Sequence, residues 1–193
     1  MDFNRLYIKE VNSGPIPGVA RRDSDVFAEL YSNWVGRIYR YVYYLVKDKM
    51  TAEDLTQEIF LKAWKSLPSY RGNGVSFSTW LYRIAHNRVM DEFRASRKYQ
   101  YQDFETLGMQ VSHDILDPGQ VSEEKELRQV LLETIATLPE SQKQVIVLKF
   151  IEGLSNKEIE QVTGMRQGTI RITQMRALTL LKGKMGGEVS NGK

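Results

Sequence analysis

The side chains best placed for chemistry are guanidinium and amide groups near the C-terminus. Two predicted helices, Asn156 to Val162 and Gln167 to Lys182, flank a tight turn at Gly164, and such a helix-turn-helix places its second helix in a DNA major groove. Residues 163–182 contain four cations and no acid. Arg can read guanine and Gln can read adenine, and both can contact phosphates. The alternative is a solvated basic helix in an ordinary bundle. The candidate DNA contacts are Arg166, Gln167, Thr169, Arg171, Gln174 and Arg176.

A second set of candidates mixes aromatic rings with cations. Rings stack on unpaired bases while guanidinium groups meet phosphates, which suits single-stranded DNA. Gly72 and Gly74 allow a loop to close around an extruded base. Asn73 or Asn87 offers an amide to the edge of that base. Trp80 also lies on an apolar stripe, so a core position is its alternative. The set comprises Tyr70, Phe77, Trp80 and Tyr82 among Arg71, Arg83, Arg88, Arg94 and Arg97.

A third group of polar side chains, Glu53, Asp54, Gln57 and Glu58, lies near the start of a predicted helix. Taken alone, these residues are explained by compensation of the helix dipole. No group of residues in the sequence has the types and spacing of a catalytic site. The sequence has two histidines, His86 and His113, no cysteine, no phosphate-binding Gly-x-x-x-x-Gly-Lys loop and no His-Glu-x-x-His motif. We therefore expect no catalytic residue, no metal site and no cofactor.

The elements that must position these groups are all helices. A stripe from Phe27 to Leu45 predicts the first helix, and the second is expected to begin at Thr51 as N-cap and to stop at Pro68. Ser76 or Ser78 is expected to cap the third. In the C-terminal half, Ser155 is the expected cap of the first helix of the helix-turn-helix. The core-facing residues of the last helix are expected to be Ile170, Leu178 and Leu181.

Composition divides the chain into two small helical domains. Six acids and no Lys or Arg lie in residues 103–124, which is typical of a flexible linker. The predicted organisation is a flexible leader at 1–22, a helical domain at 23–98, an acidic linker at 99–125, a second helical domain at 126–182 and a flexible tail at 183–193. The fold class is all-α, since no strand-like alternation is found.

Charge and hydropathy say more about where the protein is located than about what it does. The net charge is +3 over 193 residues, too small by itself to identify a nucleic-acid binder. The longest apolar runs are far shorter than the roughly 20 residues that span a bilayer. The N-terminus also lacks the basic start and apolar run of a signal peptide. We expect a cytoplasmic protein without direct membrane insertion.

Taken together, the motifs resemble one family. The runs from Ala52 to Phe60 (AEDLTQEIF) and from Phe77 to Ala85 (FSTWLYRIA), with Asn87 and Asp91, resemble domain 2 of the extracytoplasmic-function (ECF, group 4) sigma factors of the bacterial sigma-70 family. The runs Leu138-Pro139-Glu140, Gly153 to Ile159 (GLSNKEI) and Gly168 to Arg171 (GTIR) resemble domain 4. Both sets occur in the family's order and cover about residues 25–182.

This resemblance implies a transcription initiation factor that binds core RNA polymerase, recognises promoter DNA and promotes melting. It implies that Asp54, Gln57 and Glu58 dock on the clamp helices of the β′ subunit. Domain 4 is expected to read the −35 element and to touch the β flap, and the linker to thread toward the active-site cleft. An anti-sigma factor is an implied partner. The −10 contacts are expected among Arg71, Asn73, Phe77, Trp80, Arg83, Asn87 and Arg94.

The chain departs from the family pattern in domain 4. Glu160 stands where a small residue is usual, and Arg166 where Pro is common. Ile172 and Thr173 replace the usual Ser and Arg. We therefore expect a −35 preference that differs from that of typical members.

Three other classes of function are weighed. A helix-turn-helix regulator that acts without polymerase needs no strand-melting module, so the aromatic first domain argues against it. A helical enzyme lacks a catalytic constellation. A helical scaffold or adaptor predicts no salt-sensitive DNA binding.

Overall fold

The computed structural model describes residues 24–72, 74–100 and 132–190, with side chains at 24–72, 74–96 and 132–184. The predicted leader, nearly all of the linker, Asn73 and His113 lie outside the described residues. The described part is helical and contains no strand, which confirms the all-α expectation.

The N-terminal half is a bundle of three helices: α1 (Ser24–Val46), α2 (Lys49–Ser66) and α3 (Phe77–Gln100). Leu30, Ile38, Tyr41 and Leu45 recur on one face of α1 and are buried, as the stripe predicts. The core is completed by Leu55 and Ile59 of α2 and by Leu81, Ala85 and Val89 of α3.

The bounds of α2 and α3 depend on short polar side chains. The expectation that Thr51 caps α2 was wrong: the Asp48 side chain accepts from the Thr51 backbone N–H at 2.7 Å, so the N-cap lies three residues earlier. Asp and Thr are both good caps, and the tight turn at Lys47, with φ of 63°, places Asp48 first. Pro68 lies in a 3₁₀ turn, Leu67–Ser69, that follows α2. At the start of α3, Ser76 Oγ accepts from the Thr79 N–H at 3.2 Å.

The described part of the C-terminal half starts with helical residues 132–136. It continues through α4 (Glu140–Ile146), a π-helical turn (Val147–Ile151), α5 (Asn156–Thr163) and α6 (Gln167–Ser190). Ala177, not Leu178, takes the core position of α6, because seven residues after Ile170 complete nearly two turns. The helix also continues past Lys182, since extending a formed helix by one residue fixes only one more residue for each bond gained.

A buried carboxylate joins the two halves. Glu152 follows the π-helical turn, and its side chain is 0% exposed. Arg37 Nε donates to Glu152 Oε2 at 3.3 Å, and Arg40 Nε donates to Oε1 at 3.2 Å. The Tyr82 hydroxyl of α3 also donates to Oε2. Burial and the charge of Glu152 raise the pKa of Tyr82 above its usual value, so Tyr82 remains a donor.

Further contacts extend this junction along α3. Thr79 Oγ1 donates to Glu158 Oε1 of α5 at 3.5 Å, and Gln144 Nε2 of α4 lies 3.1 Å from Met90 Sδ. Positions 79, 82, 86 and 90 lie on one face of α3, so the face that carries His86 is the face that the C-terminal half covers. Burial lowers the pKa of His86 to about 4.

Candidate functional site

The helix-turn-helix is fixed by its caps. Ser155 Oγ accepts from the Glu158 backbone N–H, and the Glu158 carboxylate accepts from the Ser155 N–H at 2.8 Å. This reciprocal capping box starts α5. Gly164 ends it with φ of 74°, a left-handed conformation that glycine adopts without strain. Ser155 and Gly164 therefore set the angle at which α6 leaves the turn.

Four of the six predicted −35 contacts are exposed around the start of α6: Arg166, Thr169, Arg171 and Arg176. Their guanidinium and hydroxyl groups can reach a phosphate or a base edge. The arrangement of these four side chains is compatible with the predicted role.

The two predicted glutamine contacts are instead half-buried and bonded to α5. Gln167 Nε2 donates to Glu160 Oε2 at 2.7 Å, and Gln174 Nε2 donates to Asn156 Oδ1 at 3.0 Å. Each amide nitrogen carries two hydrogens and uses one of them in this bond within the protein. The unusual Glu160 thus has a structural partner, and the base contacts of Gln167 and Gln174 stay a prediction.

Two exposed side chains on the outer face of the first part of α6 are apolar and were not predicted as contacts. Ile172 is 49% exposed and Met175 is 62% exposed. Helical spacing from the buried Ile170 and Ala177 could have identified both positions, since they lie opposite that buried pair.

Four of the predicted −10 contacts are exposed in the first domain. Arg71 donates to the carbonyl of Pro68, which holds its guanidinium beside the loop. Arg83 and Asn87, four residues apart, lie on one exposed face of α3. Arg94 is exposed and pairs with Asp91 at 2.6 Å. Asn73, another of the seven candidates, lies outside the described residues.

The predicted contact between Phe77 and DNA does not fit the structure. Phe77 is 1% exposed, with its ring centroid 6.1 Å from Trp34 and 5.8 Å from Tyr70 in edge-to-face geometry. Such packing makes Phe77 part of the core. Trp80 is half-buried, 5.3 Å from Tyr70, so its remaining surface is still accessible to a partner.

The predicted polymerase-binding residues Asp54, Gln57 and Glu58 are all exposed on α2. Glu58 pairs with Arg88 of α3. Two exposed apolar residues that the prediction missed, Met50 and Leu61, extend this face at four residues before Asp54 and three after Glu58. The result is an acidic centre with an apolar residue at each end, and helical spacing alone could have found both.

An open apolar cavity adjoins Leu61. Its volume is about 320 Å³, and it lies between the start of α1 and the second half of α2. Phe27 and Trp64 form one ring pair in its wall, with centroids 4.7 Å apart. The lining residues are Ser24, Phe27, Tyr31, Phe60, Leu61 and Trp64.

The part of the chain that the structure describes contains neither a metal-ligand cluster nor a membrane-spanning helix. Within those ranges, no three His, Asp or Glu side chains converge as metal ligands do. None of the described helices combines the length and apolar character of a membrane span.

Two family models match the chain in succession. One, described as Sigma-70 region 2, matches residues 30–99, and the other, described as Sigma-70, region 4, matches residues 128–181. The first covers α1 to α3, and the second covers the helix-turn-helix.

Curated relatives match across both halves. The ECF RNA polymerase sigma factor BldN of Streptomyces coelicolor is 34% identical over 166 residues, which cover 82% of this chain and 60% of BldN. The ECF RNA polymerase sigma factor SigW of Bacillus subtilis is 34% identical over 163 residues, which cover 81% of this chain and 87% of SigW.

A solved structure shares the fold. The sigma factor RpoE of Bartonella quintana, in complex with the anti-sigma factor NepR, superposes with a TM-score of 0.72. The match covers 83% of this chain and 96% of RpoE, at 21% sequence identity. The likeness therefore concerns the arrangement of helices.

Proposed function

This chain belongs to the ECF RNA polymerase sigma factors of the sigma-70 family, and from that membership we propose that it is a transcription initiation factor. It binds core RNA polymerase, directs it to promoters through −10 and −35 elements, and promotes melting of the DNA. It acts in the cytoplasm and has no catalytic activity of its own. The observation that carries the proposal is the match of both sigma regions, in order, within one chain.

Each domain contributes a separate activity. The domain at 23–98 contacts polymerase through Asp54, Gln57 and Glu58, with Met50 and Leu61 at the ends of the same face. The exposed arginines Arg71, Arg83 and Arg94, with Asn87, contact the −10 strand, and Trp80 offers its accessible edge. The acidic linker at 99–125 threads toward the polymerase cleft, where its charge suits a channel built for nucleic acid.

The domain at 126–182 contacts the β flap and reads the −35 duplex. Arg166, Thr169, Arg171 and Arg176 supply phosphate and base contacts from the exposed side of the helix-turn-helix. We further propose an anti-sigma factor as a protein partner. The solved complex of RpoE with NepR supports this, because RpoE shares the fold.

Run-off transcription tests the function as a whole. Purified chain and bacterial core polymerase are incubated with fragmented genomic DNA, and RNA 5′ ends are mapped. We expect start sites that occur only when the chain is added, with shared −10 and −35 sequences upstream. Polymerase binding without new start sites would contradict initiation activity, and DNA binding without polymerase binding would favour the helix-turn-helix regulator.

Charge reversal tests the polymerase contact. Asp54→Arg places a cation in the acidic centre of the exposed face, so we expect at least a tenfold weaker affinity for core polymerase in a fluorescence titration. Glu29→Arg is the matched control, because Glu29 is also an exposed carboxylate but lies on α1. Equal losses in both variants would place the contact elsewhere.

A further inference from the structure

The outermost surface of α6 is apolar where the proposed −35 contact needs a reader. Ile170 and Ala177 are fully buried and define the inward direction of the helix. At about 100° per residue, Ile172 and Met175 lie about 160° and 140° from Ile170, on either side of the opposite direction. Within residues 167–176 no other side chain points further outward, so these two are the first that a partner would meet when it approaches this part of α6.

Two arginines flank this apolar pair. Arg171 and Arg176 are exposed and lie about 100° and 120° from Ile170, one on each side of the helix. The sequence from Thr163 to Lys184 contains five cations and no acid. An apolar centre between cationic edges is complementary to a partner with anionic edges and an apolar centre.

The polar readers of this helix are already engaged. The amide nitrogens of Gln167 and Gln174 donate to Glu160 and Asn156 of α5. Gln167 and Gln174 also lie only about 60° and 40° from the inward direction set by Ile170, so neither amide is on the outer face of the helix. Base edges that face the centre of the helix are therefore contacted by the side chains that are exposed there.

A DNA major groove has anionic edges, and it has an apolar centre where the base is thymine. Phosphates line both edges of the groove, and the C5-methyl group of thymine is the apolar group that base edges present within it. We propose that Ile172 and Met175 recognise thymine methyl groups in the −35 element, with Arg171 and Arg176 on the flanking phosphates or bases. This inference rests on the proposed function. It assigns the recognition of thymine to two residues on the outer face of α6.

The proposal is tested by removing single methyl groups from the DNA. Holoenzyme made from the full chain and core polymerase is titrated with duplexes that carry the mapped −35 element. Each thymine in that element is replaced in turn by uracil, which lacks only the C5-methyl. For the unaltered chain we expect one or two positions at which uracil weakens binding about fourfold, the effect of burying one methyl-sized group.

Two variants identify the residues that sense the methyl. In Ile172→Ser and in Met175→Gln, the loss on uracil substitution is expected to fall below twofold at the position that each residue contacts. Leu180→Ser is the matched control: Leu180 is also exposed, at 44%, but lies about 80° from the inward direction. This variant should keep the full sensitivity to uracil. Because all three side chains are exposed, the urea midpoint should change little, and that midpoint is measured for each.

The outcomes separate this inference from the proposed function. Sequence-specific −35 binding with no sensitivity to uracil at any position would overturn methyl recognition and leave sigma activity intact. Unchanged uracil sensitivity in both variants would also overturn it, and would assign the apolar pair to a protein partner. Absence of any sequence-specific binding by the holoenzyme would contradict the proposed function itself.

Discussion

At the residue scale, Glu152 is the charged side chain on which the junction between the two halves most depends. Glu152→Gln removes the charge that Arg37 and Arg40 share inside the junction. Breaking a buried pair is costly because a charge is left without its partner. Here the two arginines are each more than a third exposed and can regain water, so we expect a loss of about 1–2 kcal/mol in the free energy of unfolding.

Urea denaturation measures this loss, with Glu92→Gln as the control. Glu92 pairs with Arg88 on one helix and is partly exposed, so its loss should cost less than about 0.5 kcal/mol. Equal costs for the two variants would mean that the burial of Glu152 contributes no additional stability.

His86 makes a pH-dependent contribution to stability. It is 8% exposed, and burial lowers its pKa from 6.5 to about 4. A folded-state pKa below the unfolded value means that stability is complete above about pH 6.5 and is lost as the pH falls toward 4. Between pH 7 and pH 5 we expect a loss of about 2 kcal/mol from this group.

The measurement is the urea midpoint at both pH values for the unaltered chain and for His86→Gln. Since other groups also titrate, the difference between the two chains isolates the histidine. A pH dependence unchanged by His86→Gln would show that burial of this imidazole has no energetic consequence.

Residue types predicted some sites and misled at others. The Ser155 cap could be predicted because Ser at that position followed by Glu three residues later carries its own local signal. Phe77 could not be assigned from type alone, since a ring that stacks on a base and a ring in a core are chemically the same. The bonds that hold Gln167 and Gln174 could not be predicted for a related reason: their partners, Glu160 and Asn156, lie on another helix.

At the element scale, the geometry of the helix-turn-helix depends on one left-handed residue. Gly164→Ala should destabilise the fold by about 1 kcal/mol, because φ of 74° strains any residue with a Cβ. No neighbouring atom lies within 4 Å of a Cβ added there, so strain is the only cost. Gly168→Ala is the matched control: it lies in α6, is equally uncrowded, and should stabilise the fold by up to about 1 kcal/mol.

Thermal unfolding of the two variants checks the sign of each effect. A stabilising Gly164→Ala would mean that the turn relaxes to negative φ without cost. In that case α6 could leave the turn at a different angle, and the positions of its exposed residues would need revision.

Helices were predictable as elements because their apolar stripes are local, whereas their ends were less so. Thr51 and Asp48 are both acceptable caps by type, and the choice between them was made by the turn at Lys47. The continuation of α6 beyond Lys182 was missed for a similar reason, because glycines lower helix propensity without forbidding a helix.

At the scale of the whole molecule, the contact between the two halves was not predictable from the sequence. Glu152 lies more than 110 positions from its arginine partners, and no periodicity links residues so far apart.

The proposed function requires this contact between the two halves to break. The −10 and −35 elements are named by their positions upstream of the start site, which differ by 25 base pairs. This spacing is about 85 Å at 3.4 Å per base pair. In the structure, Thr79 of α3 and Glu158 of α5 are within 3.5 Å.

Opening of the molecule can therefore be produced by mutation. In the double variant Arg37→Ala/Arg40→Ala the buried carboxylate loses both cations, so we expect the two halves to separate and the radius of gyration from small-angle X-ray scattering to rise. Arg88→Ala is the control, since Arg88 pairs with Glu58 and Glu92 within the first domain. Equal radii for all three chains would show that apolar contacts alone hold the halves together.

The carboxylate of Glu152 also makes closure of the molecule a competitor of promoter binding, because the joined halves cannot reach both elements at once. If only a fraction of molecules is open, the observed dissociation constant equals the intrinsic one divided by that fraction. The strength of this single buried cluster would then set how much sigma factor a cell must accumulate before transcription from its promoters begins. Substitutions at Arg37, Arg40 or Tyr82 would adjust that threshold without altering any residue that touches polymerase or DNA.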